Sequence, residues 1–184
     1  MKRILLVLAA GSLRLAAAES SIELDPARTT VQFTLSDVLH TVHGTFKLKR
    51  GVVKFDPATG HAWGEIVVDV TSGNSGSGAR DKRMHEEILE SARYPDAVFT
   101  PDHMSGELAP QGESQMELHG NFQIHGAAHE LTLHLRAQVK NGDVAASTGF
   151  VIPYVQWGMK NPSNFLLKVS KNVELTVQTA GRVQ

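Results

Sequence analysis

Hydrophobic and polar residues alternate along most of the chain beyond residue 30. From Thr30 onwards, Val31, Phe33 and Leu35 are apolar, whereas the residues between them are polar. A period of two predicts a β-strand with one buried and one wet face, which is typical of an antiparallel sheet. The pattern recurs in four further runs, whose apolar members are Ile66, Val68 and Val70; Leu118, Phe122 and Ile124; Leu131, Leu133 and Leu135; and Val173, Leu175 and Val177.

Short clusters that contain glycine separate these runs, at residues 56–60, 110–112, 125–127 and 141–143. Such clusters are typical of turns. Asn141-Gly142 is the best candidate for a tight hairpin, because both residues adopt a positive φ at little cost. We therefore expect about eight strands at close spacing. The alternation by itself leaves a sandwich and an up-and-down barrel as alternatives.

One segment breaks the pattern. Residues 72–95 read SGNSGSGARDKRMHEEILESARYP, a flexible stretch followed by a charged, helix-forming one. We predict a helix over about residues 82–93, with Asp81 as its N-cap and Pro95 ending it. Its apolar stripe consists of Met84, Ile88, Leu89 and Ala92. A lone amphipathic helix of this length suits a cap over a sheet or a barrel mouth, with its glutamates forming a solvated face.

The first 18 residues match a secretory signal peptide. Lys2 and Arg3 precede an apolar run, and the segment closes on three alanines, with cleavage expected after Ala18. The apolar run is too short to span a bilayer, for which about 20 residues are needed. The alternative is an amphipathic N-terminal helix. We expect an exported, periplasmic or secreted protein with one domain over residues 19–184.

Composition removes several classes of function. The net charge of −1 offers no basic surface for nucleic acid, and the absence of cysteine removes disulfide and thiol chemistry. With 184 residues and 41% hydrophobic content, the chain is long enough to build a core of its own. The sequence is also compatible with a homodimer.

Nine histidines raise the question of a metal or catalytic site. His40 and His43 would point to opposite faces of a strand, and His125 and His129 flank a turn with only Glu130 as a nearby carboxylate. Zinc sites need three or four converging ligands, so we expect no metal site and no cofactor. The chain also lacks a nucleophile elbow, an H-E-x-x-H motif and a complete phosphate loop, so we expect no catalytic residues.

Several stretches taken in order resemble one protein family, the exported YceI-like, polyisoprenoid-binding proteins. The resemblance covers nearly all of the chain after residue 22. Arg80-Asp81 match an Arg-Asp pair of that family, whereas the family's histidine roles do not carry over to His40, His43 or His85. The stretches that carry the resemblance are VQFTLSDVLHTVHGTFKLKRGVVKFDP, VVDVTSGNSGSGARDKRM, ARYPDAVFTP, LHGNFQIHGAAHELTL and VQWGMK.

The resemblance implies an extended lipocalin-like, eight-stranded antiparallel β-barrel, all-β apart from one short helix that caps it. It also implies an apolar lumen that takes an isoprenoid lipid or a quinone with a long apolar tail. A barrel of this size either fills its interior with side chains or encloses one slender ligand. The large apolar residues that we expect to line the lumen are Phe33, Leu35, Phe46, Val68, Val70, Phe99, Phe122, Leu133, Phe150 and Trp157.

Three functional hypotheses follow from this barrel. The first is a non-enzymatic carrier or sequestering protein for an isoprenoid lipid. The second is an enzyme on the same barrel, with His125 or His129 as acid or base. The third is a stress-related or interaction domain whose barrel is filled by its own side chains. An internal cavity favours the first hypothesis over the third. A perturbed histidine pKa together with convergence of His125 and His129 at the barrel mouth favours the second.

Overall fold

The structure is a computed structural model that describes residues 19–36, 40–165 and 168–184; the predicted signal peptide lies outside this range. Within these described residues, nine antiparallel strands form one sheet that closes on itself. Their bounds are β1 Ser20–Leu24, β2 Thr30–Ser36, β3 Thr41–Phe55, β4 Ala62–Asn74, β5 Asp96–Ser105, β6 Gly112–Ile124, β7 Ala127–Lys140, β8 Asp143–Ile152 and β9 Val173–Val183.

The nine strands occupy eight positions around a barrel, because β1 and β2 share one position. β1 pairs with the second half of β3 and with the end of β9, whereas β2 pairs with the first halves of both. A short 3₁₀ turn, Pro26–Arg28, separates β1 from β2. The remaining strands follow one another around the barrel in chain order. The predicted eight-stranded antiparallel barrel is confirmed, and the sandwich alternative is wrong.

The two ends of the barrel differ. One end carries the connections β2–β3, β4–β5, β6–β7 and β8–β9, and we call it the helical end because the β4–β5 connection contains the helix. The opposite end carries the turns β3–β4, β5–β6 and β7–β8, and β1 begins and β9 ends there, so we call it the terminal end.

Two hairpins turn over only two residues each. Asn141 and Gly142 have φ of 53° and 83°, which confirms the predicted tight turn between β7 and β8. At the opposite end, His125 and Gly126 have φ of 50° and 77° and join Ile124 of β6 to Ala127 of β7. Positive φ at both central residues matches the right-handed twist of the strands, which explains why such turns suit hairpins.

The helix differs from the predicted one at both ends. It begins at Gly78 as α1 (Gly78–Arg83) and continues as one π-helical turn, Met84–Ile88, in which the Leu89 N–H bonds the Met84 carbonyl at 2.9 Å. It ends before Glu90, whose φ of 45° is left-handed. The N-cap is Ser77, without a side-chain hydrogen bond, so the prediction of Asp81 as N-cap is wrong. Asp81 lies one turn inside the helix.

Candidate functional site

The barrel wall turns one set of side chains inward from every strand. On β4 these are Ile66, Val68 and Val70, and on β7 they include Leu131, Leu133 and Leu135, which are the apolar members of the alternating runs. A bulge in β3 between Leu48 and Arg50 shifts the pattern by one, so that Leu48 and Val53 both face inward. The interior is therefore almost entirely aliphatic and aromatic.

The barrel encloses a cavity of about 420 Å³. Inward side chains such as Ile66, Val68 and Leu175 are only half-buried although they lie inside a closed wall, because their free surface borders this cavity. Near the terminal end the interior is filled instead by Phe55, Ala62 and Val139. The lumen is therefore packed near the terminal end and hollow between there and the helical end. The volume of the cavity is in the range typical of small-molecule pockets.

Nine of the ten predicted lumen residues line this cavity: Phe33, Leu35, Phe46, Val68, Val70, Phe99, Phe122, Leu133 and Phe150. Trp157 does not, which corrects the prediction. It lies in the β8–β9 connection, in a turn rather than a strand, where its backbone N–H donates to the Pro153 carbonyl at 3.0 Å. Its ring stacks on His129, with centroids 3.9 Å apart and planes within 4° of parallel.

The helix covers the helical end of the cavity. Met84, Ile88 and Leu89 line the lumen, as expected from the predicted stripe, whereas Ala92 is exposed in the turn that follows the helix. Gly73 allows this close approach, since a Cβ there would come within 2.6 Å of the Phe46 ring and 2.8 Å of the Met84 side chain. The helix therefore closes this end of the cavity with apolar side chains.

Arg80 and Asp81 hold the start of the helix to the preceding loop through Ser75. The Ser75 N–H and hydroxyl both donate to Asp81 Oδ1, at 2.8 and 2.5 Å, and Arg80 donates to the Ser75 hydroxyl and carbonyl at 2.7 and 2.8 Å. Burial opposes ionisation of Asp81, but the Ser75 hydrogen bonds and the Arg80 charge outweigh it and hold its pKa below the usual range. We call these three residues the Ser75 cluster.

Two cations border the cavity at this end. Arg80 and Arg83 are the charged residues among the described part of the lining, and Arg80 is exposed to solvent as well. Arg83 lies 3.7 Å from Glu87, which Lys160 also contacts at 2.6 Å. The sequence did not single out Arg83, because it lies outside the apolar stripe of the predicted helix. A ligand in this lumen would meet apolar walls along its length and guanidinium groups at one end.

The histidines of the second hypothesis lie outside the described cavity lining. His125 contacts the Tyr94 ring, with 4.8 Å between centroids, and its Nε2 is 3.3 Å from Glu90 Oε1. His129 is covered by Trp157, and burial lowers its pKa. His85 bonds the Gly73 carbonyl and the Ser91 hydroxyl through its two ring nitrogens, at 2.9 and 3.0 Å. Nowhere in residues 19–36, 40–165 and 168–184 do three or more histidine, aspartate or glutamate side chains group in a way that could hold a metal ion.

Residues 23–180, which include every strand from β2 to β8, match the model of the YceI-like domain. The chain belongs to the YceI-like family. The resemblance carried by the sequence motifs is thereby confirmed. Curated relatives include UPF0312 proteins from three strains of Vibrio cholerae, each 26% identical over 121 residues, which is 64% of this chain and 62% of theirs. The matched region thus spans less than two thirds of those relatives.

Solved structures show the same YceI-like barrel at low sequence identity. BcnA of Burkholderia cenocepacia superposes with a TM-score of 0.69 at 17% identity, covering 85% of this chain and 98% of that protein. A polyisoprenoid binding domain from Saccharophagus degradans superposes with a TM-score of 0.69 at 18% identity, covering 89% of this chain and 98% of that domain. The YceI protein of Campylobacter jejuni superposes with a TM-score of 0.57 at 14% identity, and the match covers 99% of both chains. In the described part of this YceI-like chain, no helix has the length and apolar character to cross a membrane.

Proposed function

We propose that this protein is an exported, non-enzymatic carrier or sequestering protein that holds one long-chain isoprenoid lipid, a polyprenyl or quinone tail, in the barrel lumen. The observation that carries the proposal is the cavity of about 420 Å³, with its almost wholly apolar wall. Removing apolar surface from water is favourable by roughly 25 cal/mol per Å², so a slender hydrocarbon chain binds there without specific hydrogen bonds.

The lumen also suggests how such a ligand is oriented. Its charged lining residues, Arg80 and Arg83, lie at the helical end, and the terminal end is filled by apolar side chains. Burying a polar headgroup among apolar side chains is costly. The proposal therefore places the headgroup beside the two arginines and the tail towards the terminal end.

Three further observations support the proposal. The Saccharophagus degradans domain with the same fold is described as polyisoprenoid binding. Neither His125 nor His129 lines the cavity, so the groups proposed for catalysis lie away from a bound chain. The basic, apolar and alanine-rich order of residues 1–18 favours export. The cavity weighs against the filled-barrel alternative, and a homodimer stays a prediction.

A pair of neighbouring substitutions on β7 tests the lumen as the binding site. Leu131 points into the cavity and Thr132, the next residue, points to solvent. Leu131→Trp adds bulk inside the lumen, so we expect the affinity for a fluorescent polyprenyl probe to fall by at least about tenfold, since the lost apolar contact is worth a few kcal/mol. Thr132→Trp adds the same group outside.

Both variants are titrated with the probe after their melting curves have been compared with that of the parent chain. The proposal expects loss of binding in Leu131→Trp and parent-like binding in Thr132→Trp. Equal affinity in the two folded variants would place the lipid outside the lumen.

A further inference from the structure

Among the described residues, Phe165 is the most exposed large apolar side chain, followed by Val151 at 50%. Phe165 is 95% exposed, whereas Phe33, Phe46, Phe99, Phe122 and Phe150 line the cavity and Phe55 is buried in the core. The ring contributes nothing to the packing of the barrel. A single exposed apolar side chain is common on protein surfaces, so the case for a partner depends on the anchoring and the charge of the β8–β9 connection that carries it.

Hydrogen bonds hold the chain on both sides of Phe165. The Val169 N–H donates to the Ser163 hydroxyl at 2.9 Å. Further along, Ser170 N–H donates to the Ser36 carbonyl at 2.9 Å and Tyr154 donates to the Ser170 carbonyl at 2.7 Å. Phe165 therefore lies in a loop that is fixed at its base to the end of β2 and to the start of the connection. Leu166 and Leu167, which follow in the sequence, lie outside the described residues.

The base of this loop is also part of the lumen wall. Pro162 and Val169, which flank Phe165 in the sequence, both line the cavity. The connection lies at the helical end, where Lys160 contacts Glu87 of the helix. The loop that carries this exposed ring therefore starts and ends at the wall of the lumen, at the end where the headgroup is proposed to lie.

The charge of the connection indicates the chemistry of the partner. Residues 153–172 contain three lysines, Lys160, Lys168 and Lys171, and no aspartate or glutamate. Lys168 and Lys171 are exposed and form no ion pair with any residue of the described ranges. An exposed aromatic ring that is close in sequence to exposed lysines suits the interface of an anionic bilayer, where the ring enters the headgroup region and anionic lipids attract the lysines.

We propose that Phe165, Lys168 and Lys171 form a docking surface for an anionic phospholipid bilayer, which sets the helical end of the lumen against the membrane. Contact at this end shortens the path of an apolar chain between bilayer and lumen, because the chain need not cross water. One aromatic ring and two lysines give weak, reversible and salt-sensitive attachment, as a protein that also leaves the membrane requires.

The test is co-sedimentation of the full-length chain with vesicles of phosphatidylcholine and phosphatidylglycerol in equal amounts, without any isoprenoid. We expect the parent chain to bind these vesicles and not pure phosphatidylcholine vesicles. Phe165→Ser should weaken binding by about tenfold or more, and Phe165→Trp should retain it. The double variant Lys168→Glu with Lys171→Glu should lose binding.

A charge-matched control lies at the other end of the barrel. Lys54 and Lys140 are exposed, near the end of β3 and the end of β7. Lys54→Glu with Lys140→Glu changes the net charge by the same amount and should retain binding. Equal loss in both double variants, or no effect of Phe165→Ser, would overturn the proposal.

The experiment also distinguishes membrane docking from self-association of the chain and from binding in the lumen. If Phe165→Ser instead dissociates an oligomer in analytical ultracentrifugation while vesicle binding is unchanged, the surface binds a second copy and the membrane proposal is wrong. The vesicles contain no isoprenoid, and Leu131→Trp alters only the lumen, so its vesicle binding should equal that of the parent. Docking and lumen binding can therefore fail independently.

Discussion

At the scale of single residues, Ser75 links the helix to the barrel. Its hydroxyl donates to Asp81 and accepts from Arg80, so one buried side chain joins the loop after β4 to the first turn of α1. Arg80 and Asp81 were singled out from the sequence by their resemblance to a family motif, but their shared partner was not. Ser75 lies in a stretch rich in glycine and serine, where nothing in the sequence distinguishes it from Ser72 or Ser77.

Asp81 offers a test of the Ser75 cluster. Replacing it by asparagine should lower the free energy of unfolding by about 1–3 kcal/mol at neutral pH, because the Ser75 hydrogen bonds then go to a neutral amide oxygen and the attraction to Arg80 is lost. The pKa of Asp81 is lowered in the folded state, so its contribution is complete above the unfolded pKa of about 4 and is lost as the pH falls through the lower, folded pKa.

The measurement is urea unfolding of the parent and of Asp81→Asn across pH 7 to 3. We expect a constant difference near neutrality that shrinks below about pH 4. A difference that stays constant down to pH 3 would mean that the Asp81 charge contributes nothing to stability.

At the scale of elements, the strands, the tight turns and the presence of one short helix followed from local chemistry, whereas the bounds of that helix did not. Alternation and Asn141-Gly142 placed β4, β6, β7 and the β7–β8 hairpin, since each depends on residues adjacent in sequence. The helix starts at Gly78, although glycine disfavours helices, because the Ser75 cluster holds its first turn in place. Contacts between residues six apart in a loop leave no periodic signal.

The two hairpins allow a comparison of backbone strain with side-chain contact. Gly126 and Gly142 both have φ near 80°, but a Cβ at Gly142 meets open space, whereas one at Gly126 would come within 2.7 Å of the Tyr94 ring. Gly142→Ala should therefore cost about 1–2 kcal/mol from the backbone alone. Gly126→Ala should cost more, since Tyr94 must move from His125.

Thermal or urea unfolding of the two single variants measures the difference. In a Tyr94→Ala background the extra cost at Gly126 should disappear, leaving equal losses at the two glycines. Equal losses already in the parent background would show that the Tyr94 contact adds no constraint to the β6–β7 hairpin.

At the scale of the whole molecule, the sequence predicts which face is apolar but not whether that face is packed. Leu131 and Leu133 share one strand, one face and one residue type, yet Leu131 is half-buried against the cavity and Leu133 is 7% exposed. The extent of the cavity depends on barrel shape and on the side chains that meet across it. Trp157 shows the same limit, since the turn after β8 carries it out of the cavity lining.

The central claim is that the lumen holds an isoprenoid chain, and native mass spectrometry of the protein purified without detergent tests it most directly. The intact mass is compared with that after denaturation, and the organic extract is analysed for the released compound. We expect one polyprenyl or quinone lipid per chain, absent from Leu131→Trp and present in Thr132→Trp. A parent chain that carries no lipid, even after incubation with isoprenoids of several lengths, would contradict the account.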